Sequence, residues 1–391
     1  MVISDGTKTV AFATNETQGT FAAYKRGPFG LADVSTAVSQ ATSGAIPASH
    51  VVVSSNHSHA GPDTTGVWGG LSNAYMTFLK DQTVGAIVDA WNAMRPAELR
   101  VGSADATELL RSQVDEPPND RVDGELRVLA AYDVEEPQRL RVLLINFSAH
   151  ATVMGAGNTL ISADWPGVVA DQSESEFGLD GAVVMVADVG RTQPADRGDL
   201  ADVERLQEYS ERVQAKVRAA LQNLVPVQGS AVEARQFFLR EPYGNPLVEY
   251  SLLASLVSRS LNPPWADIEG PIVGTVVSAA RVGDLLFTAL PGEGYPAIHF
   301  ELQQRIVAQK HFVFGLANDQ LGYLIAPEEG YEQVKAAAPE NDNAIFNVSP
   351  SIGDHVLCVA LDAAVAVGFP RREPLAKCER WANEDRSLPP Y

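Results

Sequence analysis

The chain has 391 residues and carries 29 Lys and Arg against 49 Asp and Glu, a net charge of −20 at pH 7. Hydrophobic residues make up 45% and charged residues 20%, a globular composition that excludes a disordered chain. Such acidity argues against nucleic acid as a partner, because phosphate binding rests on clustered Lys and Arg.

In chain order, Lys8 to Thr14 (KTVAFAT) reads as a strand and Leu31 to Ser43 as a helix. His50 to Ser55 (HVVVSS) reads as a buried strand, and Ala74 to Ala93 as a helix closed by Pro96. Strands follow at Glu98–Gly102, Leu126–Tyr132 and Arg139–Phe147, then a helix from Trp165 to Glu176 and the apolar strand Gly181–Val186. Leu200 to Leu224 is the clearest helix, with Val203, Leu206, Val213, Val217, Leu221 and Leu224 at helical spacing. Gly274–Val282 and Asp284–Leu290 form a hairpin across Gly283-Asp284, followed by a helix from Tyr295 to Ala308 and the strand His311–Leu316. The polar segments Gln113–Arg121 and Glu241–Pro246 read as surface loops. Strands alternating with helices give an α/β class with a mixed β-sheet core and flanking helices. No apolar run reaches the roughly 18 residues of a membrane helix. The opening MVISDGTKTVAFATNE lacks the charged and apolar regions of a signal peptide.

Several strands run straight into residues able to bind a metal. Val51 to Asp63 reads VVVSSNHSHAGPD, a strand ending in His57 and His59. Residues two apart on an extended chain point to the same side, so these imidazoles are expected to converge. A pair of surface histidines in a turn is the plain alternative. His150 ends the strand VLLINFSAH. Asp164 beyond it either caps the next helix or orients an imidazole, capping being the commoner role. Glu293, in TALPGEGY, sits before a helix whose dipole favours a carboxylate, and taken alone helix-start chemistry is its commoner reading. Tyr323 closes FVFGLANDQLGY, a loop that also holds Asn318. His50, His299, His311 and His355 lie in no motif and read as structural or solvated. Trp68 and Trp165 either pack or wall an apolar channel.

The order H-x-H-x-G-P, F-x-x-H, P-G-E and G-L-x-N-x-x-x-x-Y resembles the neutral/alkaline (non-lysosomal) ceramidase family over roughly residues 11 to 333. Carried over, the resemblance implies one zinc held by His57, His150, Glu293 and Tyr323, at a site formed by strand ends. It implies that His59 acts as a proton-transfer or carbonyl-polarising group. The implied reaction is hydrolysis of the N-acyl amide of ceramide or a related N-acyl lipid by a zinc-activated water. It also implies work outside the cytoplasm, with peripheral contact to a membrane.

The departures from the family pattern are specific. Residues 1–391 correspond to a single catalytic domain that starts close to the family strand matched by KTVAFAT, with no room for its C-terminal immunoglobulin-like domain. The family's G-D-x-x-P reads Gly190-Arg191-Thr192-Gln193-Pro194, and its first loop tyrosine is replaced by Gln320. Tyr331 is the nearest counterpart of a further family tyrosine. Two alternatives therefore stand beside ceramide hydrolysis: a zinc hydrolase for another amide or ester, and a catalytically silent metal-containing binding protein. Cys358 and Cys378 either form one disulfide, as export would favour, or remain two buried thiols.

Overall fold

Along the strand Leu140–Phe147, Leu143, Ile145 and Phe147 join one apolar cluster while Leu144 joins another. The same division recurs at Leu285–Ala289, where Leu285 and Phe287 face one cluster and Leu286 the opposite one. A strand alternates its side chains between faces, so strands that are apolar throughout must be covered on both. The computed structural model, which describes residues 1–113, 121–195, 198, 200–260, 272–326 and 342–382, resolves this into two sheet layers between two helix layers.

One layer is a five-stranded sheet in the order Val225–Pro226, Ala97–Asp105, Glu125–Asp133, Leu140–Phe147, Gly181–Val186, antiparallel except for its last, parallel pair. Helices Asp164–Phe177 and Asp202–Gln222 cover its outer face through Val169, Leu206, Val213 and Val217. The other layer combines the three-stranded sheet Val2–Ser4, Thr9–Asn15, Val51–Ser55 with the four-stranded sheet Val232–Pro242, Ile272–Val282, Leu285–Ala289, Lys310–Phe314. Helices Leu31–Ala41 and Asn73–Asn92 cover the first sheet, and Pro296–Arg305 and Ile352–Ala366 the second. Between the layers, Phe12, Phe287, Phe312 and Phe314 stack beside Leu129, Leu144 and Met185.

The mixed α/β expectation is met, and each strand and helix expected in the chain appears within a few residues of its expected span. Gly283 turns the expected hairpin at φ 58°, and a Cβ there would lie 2.6 Å from the Gln228 carbonyl oxygen.

One expectation is overturned. Glu241–Pro246 is not simply a surface loop, because Glu241 and Pro242 end the eleven-residue strand Val232–Pro242. Glu241 is fully buried and accepts from Ser349, Ser351 and His355, while Asn245 caps the helix Pro246–Leu253. Most of the other expected loop, Gln113–Arg121, lies outside the described residues.

Candidate metal centre

The strand Val51–Ser55 delivers His57 two residues beyond its end, and Leu140–Phe147 delivers His150 three residues beyond its own. Glu293 starts the two-residue strand Glu293–Gly294, paired in parallel with Tyr323–Leu324 so that Glu293 and Tyr323 are register partners. His57, His150 and Glu293 therefore come together at strand ends, and Tyr323 is joined to Glu293 through the backbone pairing. Their convergence owes less to extended periodicity than the H-x-H spacing suggests. His57 sits in the left-handed region at φ 63°, a conformation that costs a non-glycine residue about 1–2 kcal/mol. Asn56 and Ser58 hold that bend: Ser58 N donates to Asn56 Oδ1 at 3.1 Å, Asn56 Nδ2 to the Ala163 carbonyl at 3.0 Å, and Ser58 Oγ to the Ser162 carbonyl at 2.6 Å.

At the centre, His57 Nε2 lies 3.1 Å from His150 Nε2 and 3.2 Å from Glu293 Oε2, and His150 Nε2 lies 3.3 Å from the same oxygen. His57, His150 and Glu293 are buried. The ring of His57 meets the Gln18 carbonyl through Nδ1 at 2.5 Å, and His150 Nδ1 meets the Thr192 carbonyl at 3.2 Å. A carbonyl only accepts, so each Nδ1 carries the proton and donates it, leaving both Nε2 lone pairs directed inward. Two lone pairs and a carboxylate oxygen facing each other repel unless a cation, either a metal ion or a proton added to an imidazole, lies among them. Glu293 Oε2 indeed has no hydrogen-bond partner despite its burial. Two donors each about 2.05 Å from a tetrahedral ion lie about 3.3 Å apart, close to the three observed separations. The donor set of two imidazoles and one carboxylate thus fits zinc.

His59 differs from its neighbour. Its Nε2 is 3.3 Å from His57 Nε2, but the residue is exposed, and its ring centroid is 5.6 Å from that of His150. Among the described residues no carbonyl holds its Nδ1. Burial of the ring tip, together with the His57 and His150 imidazoles, pushes its pKa down to about 3 against a weaker pull from Glu293. Burial also disfavours the charged form of Glu293, yet the facing His57 and His150 hold that carboxyl well below its usual range. For His57, burial is outweighed by the Glu293 carboxylate, and its pKa is raised.

The surroundings sort the remaining candidates. Asp164 binds no imidazole. Its carboxylate accepts from the backbone N–H groups of Val153, Met154 and Trp165, fixing the loop after His150. Trp165 walls no channel, being fully buried against Phe147 and Tyr209 and donating Nε1 to the His150 carbonyl at 3.2 Å. Trp68 is 78% exposed. Asn318 N donates to the Val53 carbonyl at 2.8 Å and its Oδ1 accepts from Val53 N, so this loop is tied to the histidine-bearing strand. Gly190 must lack a side chain because a Cβ would lie 2.4 Å from the Glu293 carbonyl oxygen. Arg191 stacks over the Tyr295 ring. Gln320 Nε2 donates to Glu293 Oε1 at 3.3 Å. Tyr331 lies outside the described residues. A cleft of about 540 Å³, lined by Asn15, Pro62, Tyr75, Leu79, Ile161 and Ser162, opens beside the loop that carries the two histidines.

A second group, Asp123, Asp188 and His299, also gathers potential metal ligands and is missed by motif reading. Arg127 donates to both Asp123 oxygens at 2.7 and 3.1 Å, and His299 Nδ1 lies 2.9 Å from Asp123 and 3.3 Å from Asp188. Burial lowers the His299 pKa, but Asp123 outweighs it and the net value rises to about 8. A guanidinium and an imidazolium thus face the two carboxylates, while Asp188 Oδ2 is left without a hydrogen-bond partner. The structural reading of His299 agrees with this arrangement, as it does for His50, which meets the Thr9 carbonyl, and for buried His311.

No protein-family model and no curated protein matches the chain. Among solved structures it is similar to neutral ceramidase from Pseudomonas aeruginosa, with a TM-score of 0.72 and 17% identity over 95% of this chain and 69% of that one. It is also similar to a ceramidase complexed with C2, with a TM-score of 0.75 and 16% identity over 96% of this chain and 70% of that one. The chain therefore has the fold of neutral ceramidases, as the motif order implied. No helix among the described residues is long and apolar enough to cross a membrane.

Proposed function

We propose that this protein is a zinc-dependent hydrolase that cleaves the N-acyl amide bond of ceramide or a related N-acyl lipid. The observation that carries this reading is the convergence of His57 Nε2, His150 Nε2 and the unpartnered Glu293 Oε2 within 3.1 to 3.3 Å of one another. Tyr323, register partner of Glu293, is the fourth ligand. The likeness to structures described as ceramidases supports an amide as the bond cleaved.

His57, His150, Glu293 and Tyr323 would hold the zinc, which would supply Lewis acidity there and lower the pKa of a water beside it. The chain's own groups do the rest. The Gln18 and Thr192 carbonyls fix the ring orientations of His57 and His150. His59, on the open side of the cluster and neutral at ordinary pH, takes a proton from the attacking water and delivers one to the leaving nitrogen. The amide C–N bond breaks, hydroxide adds to the acyl carbon, and a fatty acid and an amine are released.

The disulfide between Cys358 and Cys378 supports work outside the reducing cytoplasm. Arg191 in place of the family acid, and Gln320 in place of the tyrosine, favour a second reading in which another amide or ester is cleaved. A panel of N-acylsphingosines, N-acylethanolamines and fatty esters, offered to the zinc-loaded full chain, separates these. Turnover only with a sphingoid head supports ceramide, and turnover of the others alone supports the second reading. Zinc binding with no turnover of any substrate sinks both and leaves a binding protein.

A further inference from the structure

The loop that brings Gln320 to Glu293 is anchored by Asp319, which occupies an unspecified position of the motif G-L-x-N-x-x-x-x-Y. Asp319 is fully buried and its carboxylate accepts five hydrogen bonds. Oδ1 accepts from the backbone N–H groups of Ala22 and Gln320, each at 2.9 Å, and from Arg259 Nε at 3.3 Å. Oδ2 accepts from Thr275 Oγ1 at 2.7 Å and from a terminal nitrogen of the same guanidinium. Arg259, 3% exposed, also donates to the carbonyls of Ser260 and Gly274, each at 2.8 Å.

Two of these contacts lead to the metal centre. One holds the backbone of Gln320, whose side chain engages Glu293 Oε1. The other holds Ala22, at the end of residues 18–22, and the Gln18 carbonyl at their start fixes the His57 ring. The two branches meet, because a Cβ on Gly19 would lie 2.7 Å from Gln320 Cγ, so Gln320 packs directly on that segment. Arg259 is joined to the chain just beyond it: Tyr24 and Arg259 form a β-bridge, Ser260 N donates to the Ala23 carbonyl at 2.9 Å and Lys25 N to the Ser258 carbonyl at 3.0 Å. One ion pair thus clamps the supports of two metal ligands.

We propose that Asp319, with Arg259 as its counter-ion, is a positioning residue of the metal centre that sets Glu293 through Gln320 and His57 through residues 18–22. Stability alone is a poor reason for such a pair, since desolvation offsets the attraction and apolar side chains could fill the same space. A planar guanidinium fork on a carboxylate fixes direction instead. Direction is what the centre needs, because two imidazole lone pairs and one carboxylate oxygen must meet at a point. His57 in particular is held at φ 63°, a conformation that persists only where its surroundings over-determine it. If the pair served only the core, zinc affinity would follow global stability; a positioning role makes it fall further. The inference rests on the metal centre of the reading above and is independent of which bond that centre cleaves.

Two measurements on the full chain test this: zinc affinity by chelator competition, and the visible spectrum of the cobalt(II)-loaded protein, which reports ligand geometry. Asp319→Asn keeps the side-chain shape and should weaken zinc by about 10–100-fold and change the cobalt spectrum. Val217→Ala, which opens a cavity beneath the helix Asp202–Gln222, should lower thermal stability and leave both readouts unchanged. Thr275→Val removes only the hydroxyl donor to Oδ2 and serves where Asp319→Asn does not fold; its expected loss of zinc affinity is about fivefold. Combined with Gln320→Leu, Asp319→Asn should weaken zinc by less than the product of the two single effects, since both act on Glu293. Unchanged zinc affinity in Asp319→Asn, or in Thr275→Val where the former does not fold, overturns the proposal. An equal loss in Val217→Ala or strict independence in the double variant overturns it too. Zinc affinity that falls as stated in a chain that cleaves no N-acyl substrate leaves positioning standing and sinks the hydrolase. Turnover of such a substrate with zinc affinity indifferent to Asp319 does the reverse, and an unsubstituted chain that takes up no zinc sinks both.

Discussion

Gln320 donates through Nε2 to Glu293 Oε1 at 3.3 Å and leaves Oε2 of that carboxylate facing the two imidazoles. Its own Oε1 accepts from Gly322 N, so the amide orientation is set by the backbone beside it. One oxygen of the carboxylate is thereby engaged, and the other is aimed as a single-point donor. Gln320→Leu should weaken zinc binding by about 10–100-fold, the usual effect of losing a group that orients a ligand. Competition with a chromogenic chelator measures it. Affinity equal to the unsubstituted protein would show that the carboxylate is oriented by other groups.

Removing a donor outright should be more severe. His150→Ala deletes one corner of the cluster and leaves Glu293 and His57 without their shared partner. Elemental analysis of the purified variant is expected to find little zinc. Retention of one zinc per chain would rule out the proposed cage.

His59→Ala should separate binding from chemistry. His59 is exposed, and no carbonyl among the described residues fixes its tautomer, unlike His57 and His150. Zinc content should stay near that of the unsubstituted protein while turnover falls by about 10²–10⁴-fold, the range for a positioned acid or base. Zinc loss equal to that of His57→Ala would make His59 a ligand instead.

His299 makes stability depend on pH. Burial opposes its protonation, but Asp123 and Asp188 raise its pKa to about 8 against the 6.5 of a free imidazole. Folding thus favours the protonated form. The stabilisation is fully present below the unfolded pKa and is lost as pH rises through about 8, a difference of about 2 kcal/mol. Thermal unfolding between about pH 6 and about pH 9 should show a fall in Tm that His299→Gln flattens. An equal pH slope in both proteins would assign the effect to other groups.

Cys358 and Cys378, both buried, join the helix Ile352–Ala366 to the short helix Ala376–Ala382 and close a separation of 20 residues. In the chain-entropy model such a loop contributes about 3 kcal/mol. Titration of the denatured, unreduced protein should find no free thiol. Cys358→Ala should lower the unfolding free energy by an amount of that order, and two titratable thiols would remove the bridge.

Local pattern alone determined a large part of this protein. Strands such as Gly181–Val186 are short apolar runs, and the helix Asp202–Gln222 shows its buried stripe in Leu206, Val213 and Val217, so both are legible without neighbours. His57, His150 and Glu293 were legible because each follows an apolar strand, and their order along the chain suggested a shared metal. The helix Ile352–Ala366 was not legible, since its apolar residues surround it and leave no stripe to read. The strand Val232–Pro242 was hidden by Arg235, Gln236, Arg240 and Glu241, charged and polar residues that an edge strand tolerates. Only the tertiary structure decided that His57 reaches the cluster through a left-handed bend, and that Gln320 lies against Glu293. It alone brought Asp123, Asp188 and His299 together from distant stretches of sequence, and turned Leu247 and Leu253 outward. Each of these depends on which surfaces meet in space, and a periodicity along one segment carries no information about its partner.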